Sequence, residues 1–217
     1  KRMNVVLLGP PGVGKGTQGV FLTSKPDWTR IVTGDLLREA VTAGSTLGVK
    51  AEKYMSRGHL VPDALIVALV RDHLVRLYSK GNLVFDGFPR TEAQASELTE
   101  ILALLENSID TLIVLEAEDQ ALVKRINGRR SCPDCNTIYN VHTSPPENPG
   151  ICDKEGSALI HRTDDKLETV ISRLEVYKTE TEPVIGYYEQ MGTKVCRVDG
   201  DKDVGEVRKL VFQALGM

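Results

Sequence analysis

The sequence predicts a three-layer α/β fold in which helices cover both faces of a five-stranded parallel sheet. Short runs rich in Val, Ile and Leu alternate with longer segments of helical periodicity. The apolar runs alternate little between polar and apolar residues, as expected for strands that are buried on both faces. The chain has 217 residues, which is enough for one hydrophobic core with insertions.

Five apolar runs are the strand candidates, and helical segments fit between them. The runs lie at residues 5–8, 30–33, 83–86, 111–115 and 194–198. Helical periodicity predicts helices at residues 14–23, 63–79 and 91–106. Three more are expected after a cap at Asp164 or Asp165, from Pro183, and around residues 204–214.

Two segments interrupt this alternation. Residues 33–61 are helical but lie between two predicted strands, which indicates an inserted arm. Residues 128–165 are rich in Pro, Gly, Asn, Ser and Cys and have almost no helical period. Such a long segment without elements of its own is uncommon in a compact domain, so it needs another source of order. The remaining ranges, 1–32, 62–127 and 166–217, are predicted to form the core domain.

Composition argues against several classes of protein. The net charge of −3 lacks the basic excess of nucleic-acid-binding proteins, so we expect no nucleic-acid partner. No stretch approaches the roughly 18 apolar residues of a membrane span. The apolar run at residues 5–8 is too short for a signal peptide. We therefore expect a cytoplasmic protein without a membrane partner.

The segment from Gly9 to Thr17 has the pattern of a phosphate-binding loop between a strand and a helix. Glycines let the backbone curl so that several N–H groups face one anion, and the helix N-terminus adds its positive dipole end. Lys15 can then reach the β- and γ-phosphates of a nucleoside triphosphate. The usual pattern has Ser or Thr directly after the lysine, but here Gly16 intervenes. The role of Thr17 at a magnesium ion therefore stays open.

Charged residues stand at the ends of the predicted elements. Asp86 ends the strand at residues 83–86, at the same sheet edge as the phosphate loop, and is predicted to hold Mg²⁺ directly or through water. Six arginines share such positions: Arg38, Arg90, Arg125, Arg129, Arg162 and Arg173. A single arginine is more often part of a surface ion pair. Six of them indicate phosphoryl transfer, in which guanidinium groups stabilise negative charge.

At these segments the chain closely resembles adenylate kinases. The matching segments follow the family's order: 9–17, 33–38, 58–63, 86–90 with Gln94, 125–129, 162–165 with Arg173, and 199–202. The resemblance implies a monomer that catalyses the reversible reaction of ATP and AMP to two ADP, with Mg²⁺, in adenine nucleotide homeostasis. It also implies an AMP-binding arm at residues 33–61 and a lid at residues 128–165.

The resemblance further implies a role for each matching residue. The ATP-binding set would be Gly12, Val13, Gly14, Lys15, Gly16, Thr17, Arg125, Arg129, Ile138, Tyr139 and Lys202. The AMP-binding set would be Thr33, Arg38, His59, Leu60, Val61, Gly87, Phe88, Pro89, Arg90, Gln94, Arg162 and Arg173. The catalytic set would be Lys15, Arg90, Arg129, Arg162 and Arg173. Gln94 has a second interpretation, because Thr91-x-x-Gln94 is also a capping box that would turn its side chain to the backbone.

Three of the four cysteines lie in the segment 128–165. Cys132 and Cys135 form one C-x-x-C knuckle, and Cys152 follows after sixteen intervening residues. This spacing predicts a tetrahedral, structural Zn²⁺ site that would order the segment. Glu155 is the expected fourth ligand, since the resemblance places a carboxylate there, and Asp153 is the rival. A Cys132–Cys135 disulfide and inert thiols are the alternatives.

Two other functions remain open at this stage. One is a different nucleoside monophosphate kinase, including one with GTP as the donor. The other is a non-catalytic zinc module in which the phosphate loop acts as a nucleotide switch. The acidic balance, and the arginines around two phosphate sites, argue against the second function.

Overall fold

The computed structural model describes residues 2–77 and 81–217. In chain order its strands are β1 (Asn4–Leu8), β2 (Trp28–Val32), β3 (Asn82–Asp86), β4 (Thr111–Glu116), β5 (Arg129–Ser131), β6 (Ile138–Asn140) and β7 (Lys194–Asp199). Five of them form one parallel sheet in the order β2-β3-β1-β4-β7, which confirms the predicted sheet. The strand predicted at residues 30–33 begins two residues earlier, and Thr33 belongs to the following helix.

Helices connect the strands. In chain order they are α1 (Lys15–Thr23), α2 (Thr33–Thr42), α3 (Thr46–Met55), α4 (Asp63–Leu77), α5 (Glu92–Leu104), α6 (Asp119–Asn127), α7 (Leu167–Val176), α8 (Pro183–Gln190) and α9 (Val204–Ala214). A 3₁₀ turn (Thr163–Asp165) precedes α7, and a π turn (Tyr177–Thr181) joins α7 to α8. The predicted end of α4 at residue 79 lies outside the described residues. In the described part of the chain, no helix combines the length and the apolar character needed to cross a bilayer.

Two hydrophobic clusters lie on the two faces of the sheet. On β1, Val6 and Leu8 join one cluster, and Val5 and Leu7 join the other. The first cluster includes residues of α4, α5 and α8, and the second includes residues of α1, α6, α7 and α9. Both faces of the central strands are therefore buried, which explains why their sequences show no polar alternation.

The two inserted segments have structures of their own. Helices α2 and α3 pack against each other so closely that a Cβ at Gly48 would lie 2.0 Å from the Ala40 carbonyl oxygen. Ser45 caps α3 by accepting a hydrogen bond from the Gly48 N–H at 3.1 Å. In the segment 128–165, β5 and β6 form an antiparallel hairpin, and Ser131 also pairs with Ile160.

The sheet brings one set of chain ends to a common edge. The phosphate loop follows β1, Asp86 ends β3, and Val32 pairs with Asp86 before Thr33 begins α2. Parallel strands place such carboxyl ends together, and ligands of open α/β sheets bind there. This edge therefore carries the candidate site.

Candidate active site

The phosphate loop between β1 and α1 depends on glycine. Gly12 has φ +82°, and a Cβ there would lie 2.6 Å from the Ile126 side chain. Gly14 has φ +106° and caps α1 in the left-handed conformation. Side chains at these positions would strain the backbone, so glycine is required for the curve that turns N–H groups to one point.

Lys15 folds back over this loop. Its Nζ donates to the carbonyl oxygens of Gly9 at 2.6 Å and Pro10 at 2.8 Å. Burial lowers the pKa of Lys15 to about 7, although the nearby Asp86 carboxylate acts in the opposite direction. Phosphate groups in the loop would favour the charged ammonium. Lys15 thus lies where a bound phosphate group and the charged ammonium would stabilise each other.

Asp86 lies beside the loop at the end of β3 and is 6% exposed. Burial raises its pKa, while the positive charges of Lys15 and Arg30 act against that rise. Arg30 Nη1 lies 3.6 Å from Asp86 Oδ2 and donates to the Gly16 carbonyl oxygen at 2.7 Å. Carboxylate oxygen is the kind of ligand that Mg²⁺ takes beside phosphate groups, so the residues present fit a magnesium ion.

Two buried aspartates and two partly buried arginines form a network at the start of α7. Arg129 donates to both carboxylate oxygens of Asp165, from Nε at 2.8 Å and from Nη2. Arg173 Nη1 lies 2.8 Å from Asp164 and 3.4 Å from Asp165. Burial opposes the charges of Arg129 and Asp164, but their partners outweigh it, raising the pKa of Arg129 and lowering that of Asp164. The prediction that Asp164 or Asp165 caps α7 is wrong, because these carboxylates bind arginines and no side chain caps the helix.

Of the other arginines at this edge, Arg38 pairs with a carboxylate, whereas Arg90 and Arg162 have only neutral partners among the described residues. Arg38 is 2.5 Å from Asp35, Arg90 Nε donates to the Gly87 carbonyl oxygen at 2.8 Å, and Arg162 Nε donates to Ser131 Oγ at 3.2 Å. Burial and neighbouring cations lower the pKa of Arg90 to about 10 and that of Arg162 to about 9. The lowered pKa values show that the charged forms of Arg90 and Arg162 are destabilised, and a bound anion would stabilise them.

A cavity opens between the helical arm and the sheet edge. Among its lining residues are Thr33, Arg38, His59, Leu60, Val61, Gly87, Arg90, Gln94 and Arg173, all predicted to bind AMP. Phe88 and Pro89 are instead buried next to it, and Arg162 faces Ser131. The lining therefore combines apolar side chains with guanidinium groups, which suits a ligand with a flat apolar part and an anionic part.

Gln94 makes the contacts of a capping box and also lines the cavity, while its predicted contact with adenine stays a prediction. Thr91 caps α5, because its Oγ1 accepts from the Gln94 N–H at 3.1 Å. The Gln94 side chain also turns back to the backbone, accepting from the Arg90 N–H at 2.8 Å. Its Nε2 donates to Asp63 Oδ1 at 2.7 Å, and the residue lines the cavity.

The predicted ATP-binding residues outside the loop lie on several elements. Arg125 donates to the Gly200 carbonyl oxygen at 2.8 Å and pairs with Asp201 at 3.2 Å. Lys202 is an exposed partner of Glu206, and Thr17 and Ile138 are exposed. Tyr139 is buried, and its hydroxyl accepts from the Asp153 N–H at 2.9 Å. Any nucleotide contact of Tyr139 would therefore come from its backbone.

The cysteine cluster is the candidate metal centre. The sulfurs of Cys132, Cys135 and Cys152 lie within 4.8 Å of one another, and all three are free thiols. Burial opposes ionisation of Cys152, but hydrogen bonds from the Tyr139 hydroxyl and from the Glu155 and Lys154 N–H groups lower its pKa to about 7. A set of converging thiols fits Zn²⁺, so the predicted ion suits the residues present.

The fourth zinc ligand stays a prediction. Within the described residues, no carboxylate joins the three sulfurs at that distance. The Glu155 side chain is exposed, and Asp153 Oδ1 accepts from the Glu147 N–H at 2.9 Å.

Sequence reasoning missed three side chains at this edge. Arg30 lies within strand β2. Asp63 is the first residue of α4 and Asp35 lies in the first turn of α2, and carboxylates are common in the first turn of helices. Arg30 alone left a signal, since a charged residue in an apolar strand needs a partner. The partners of Asp63 are 28 and 31 residues away, so no local pattern shows them.

Comparisons with known proteins show the family of the chain. A family model described as adenylate kinase matches residues 7–193. A curated protein named adenylate kinase from Thermoanaerobacter sp. (strain X514) is 44% identical over 214 residues, which cover 99% of this chain and 98% of the relative. One from Caldanaerobacter subterraneus subsp. tengcongensis is 45% identical, covering 98% and 96%. One from Archaeoglobus fulgidus is 45% identical, covering 95% of each chain.

Proposed function

The chain belongs to the adenylate kinase family, and we propose that it transfers a phosphoryl group reversibly from ATP to AMP, giving two molecules of ADP. It is thus a phosphotransferase. One observation carries the proposal: Lys15 lies close enough to Arg90, Arg129 and Arg173 that each of them lowers its pKa. Arg38 acts in the same way on Arg90 and Arg162. Such a concentration of positive charge is what two adjoining phosphate chains require.

The reaction needs no general base, because the accepting phosphate oxygen of AMP is already anionic. Catalysis then consists of placing the two nucleotides in line and of stabilising the charge on the transferred group. Lys15 and the arginines supply that stabilisation from fixed positions. Asp86 is the residue that would hold a magnesium ion bound with ATP, and that ion would neutralise part of the phosphate charge.

We also propose the division of labour between the segments. Residues 33–61 would bind AMP, residues 128–165 would cover ATP and exclude water, and the rest of the chain would form the core. The site roles predicted for individual residues belong to this proposal. The cysteine cluster would bind one structural zinc ion, with Glu155 as the fourth ligand and Asp153 as its rival, and so hold the lid in shape.

The proposed reaction is tested by a coupled assay of ADP formation from ATP and each nucleoside monophosphate in the presence of Mg²⁺. Zinc is measured in the same sample. Fast turnover with AMP, at about one zinc per chain, is the expected result. Turnover with CMP or UMP instead of AMP would show that the acceptor is another nucleotide. The assay with AMP is repeated with GTP in place of ATP, and turnover with GTP alone would show that GTP is the donor.

Two variants test the proposed site. Replacing Lys15 with Ala, or Arg90 with Ala, should lower turnover by at least a hundredfold, because each removes charge stabilisation of the transferred group. An unchanged rate in either variant would show that the site is assigned wrongly. Light scattering on the same samples checks the proposal that the enzyme acts as a monomer, and fractionation of cells checks that it is cytoplasmic.

A further inference from the structure

Asp63 binds the side chain of Gln94, which lines the cavity between the helical arm and the sheet edge, and Asp63 is not among the lining residues. Asp63 begins α4, and its Oδ1 accepts from Gln94 Nε2 at 2.7 Å. Its second oxygen, Oδ2, accepts from Thr91 Oγ1 at 3.0 Å, which keeps the carboxylate in place. At the other end of the Gln94 amide, Oε1 accepts from the Arg90 N–H at 2.8 Å. Both ends of the amide are therefore bound to fixed groups of the protein: the Arg90 backbone N–H and the Asp63 carboxylate.

These two partners determine which way the amide faces. A backbone N–H can only donate, and an ionised carboxylate can only accept. Turning the amide by half a turn would place its NH₂ against the Arg90 N–H and its oxygen against Asp63. Both hydrogen bonds would be lost, and two repulsive contacts would replace them. Gln94 is 2% exposed, so water cannot compensate for the loss.

The fixed orientation leaves one acceptor and one donor unused. Oε1 has a second lone pair, and Nε2 has a second hydrogen. Adenine presents a 6-amino donor beside the N1 acceptor, which match that pair. Hypoxanthine and guanine present a 6-oxo acceptor beside an N1–H donor, which match only the turned amide. A site built to hydrogen-bond one arrangement rejects the other, because its buried polar groups remain unpaired.

We propose that Asp63 is a specificity-determining, positioning residue that locks the Gln94 amide in the orientation that accepts adenine and rejects 6-oxopurines. Asp63 acts through Gln94 and does not touch the nucleotide. The inference rests on the proposed AMP site and names the residue that sets its choice of base.

The test compares AMP with IMP, because IMP differs from AMP only at the 6-position and N1. The values of kcat/KM and of the equilibrium Kd are measured for both nucleotides in the wild type and in Asp63→Asn. The asparagine amide can present either its oxygen or its NH₂ to Gln94, so the lock is released without a change of size. We expect the preference for AMP over IMP to fall at least tenfold, mainly through KM and Kd, with kcat for AMP much less affected.

Three further variants make the result specific. In the Gln94→Met background the preference should already be low, and adding Asp63→Asn should change it no further. Asp72→Asn removes an exposed carboxylate from the same helix and should leave the preference unchanged. Asp63→Ser provides the same release if the asparagine variant does not fold, since serine is well tolerated at helix starts.

The outcomes separate this inference from the proposed reaction. If the wild type binds AMP over IMP without turnover, and Asp63→Asn loses that preference in Kd, the reaction is overturned and the lock is supported. A wild type without preference in binding would overturn the lock. So would a folded Asp63→Asn variant in which AMP and IMP are affected equally.

Discussion

Replacing Gly19 with Ala tests how α1 is joined to the sheet edge. Gly19 lies inside α1, and a Cβ there would be 2.6 Å from Arg30 Cδ and 3.1 Å from Arg30 Nη1. Arg30 is the side chain that donates to the Gly16 carbonyl oxygen at 2.7 Å and lies 3.6 Å from Asp86. An alanine methyl group would therefore push the guanidinium group off both partners.

Two opposing effects set the magnitude. Alanine in a helix interior is favoured over glycine by about 1 kcal/mol. Loss of a hydrogen bond made by a charged group costs about 1.5–3 kcal/mol. The net destabilisation should therefore be roughly 0.5–2 kcal/mol, or a fall in Tm of about 1–8 °C for a chain of this size.

Urea unfolding of the nucleotide-free protein measures this difference. Gly186→Ala is the matched control, because Gly186 also lies inside a helix but, beyond its own stretch of helix, no atom of the described residues lies within 4 Å of its would-be Cβ. That variant should gain up to about 1 kcal/mol from helix propensity alone. In an Arg30→Ala background, Gly19→Ala should likewise become stabilising. If Gly19→Ala stabilises the wild type as much as Gly186→Ala does, Arg30 does not join α1 to the sheet edge.

Three further predictions concern the charged groups and the cysteines. ATP binding at pH 8 should take up close to one proton, because the pKa of Lys15 is about 7 in the free protein and the phosphates restore its charge. Calorimetry in buffers of different ionisation enthalpy measures this uptake, and equal binding heats in all buffers would contradict it. Asp165→Asn should lower the free energy of unfolding by about 3–5 kcal/mol, since Arg129 loses its buried partner, and a loss below about 1 kcal/mol in urea unfolding would refute this. Chelation of zinc, or Cys135→Ser, should lower Tm, while Cys196→Ser should not. The metal centre would be excluded if protein produced in zinc-replete medium contained no zinc and its Tm did not change when a chelator was added.

The sheet could be predicted because its central strands are apolar throughout. Strand β2 shows the limit of that signal. It lies at the sheet edge and is only partly buried, so its first residues, Trp28 and Thr29, do not form an apolar run with the rest. The predicted start at residue 30 was therefore two residues late. Burial on both faces made the central strands β1, β3 and β4 visible, whereas β7, the other edge strand, is largely exposed and was predicted from its strand-forming residues.

The phosphate loop and the arginines could be predicted because short sequence motifs identify them. The residues that bind these arginines could not be predicted, since they come from distant parts of the chain. Arg129 and Asp165 are 36 residues apart, and Arg125 and Gly200 are 75 apart. Asp164 and Asp165 look like helix caps by local preference, but two arginines bind them instead. Tertiary ion pairing outweighed the capping preference there.

These partners also indicate what a nucleotide at the proposed site would displace. Carboxylates hold Arg129, Arg173 and Arg38 in place, and backbone carbonyls hold Lys15. Such contacts keep the cations oriented, so binding phosphate exchanges one partner for another and orders few side chains anew. Arg162 differs, because its hydrogen bond goes to the neutral Ser131 hydroxyl and burial lowers its pKa to about 9. A phosphate group that reaches Arg162 therefore replaces no counter-charge there, so this contact gains more from the added anion than the contacts at Arg129 or Arg173.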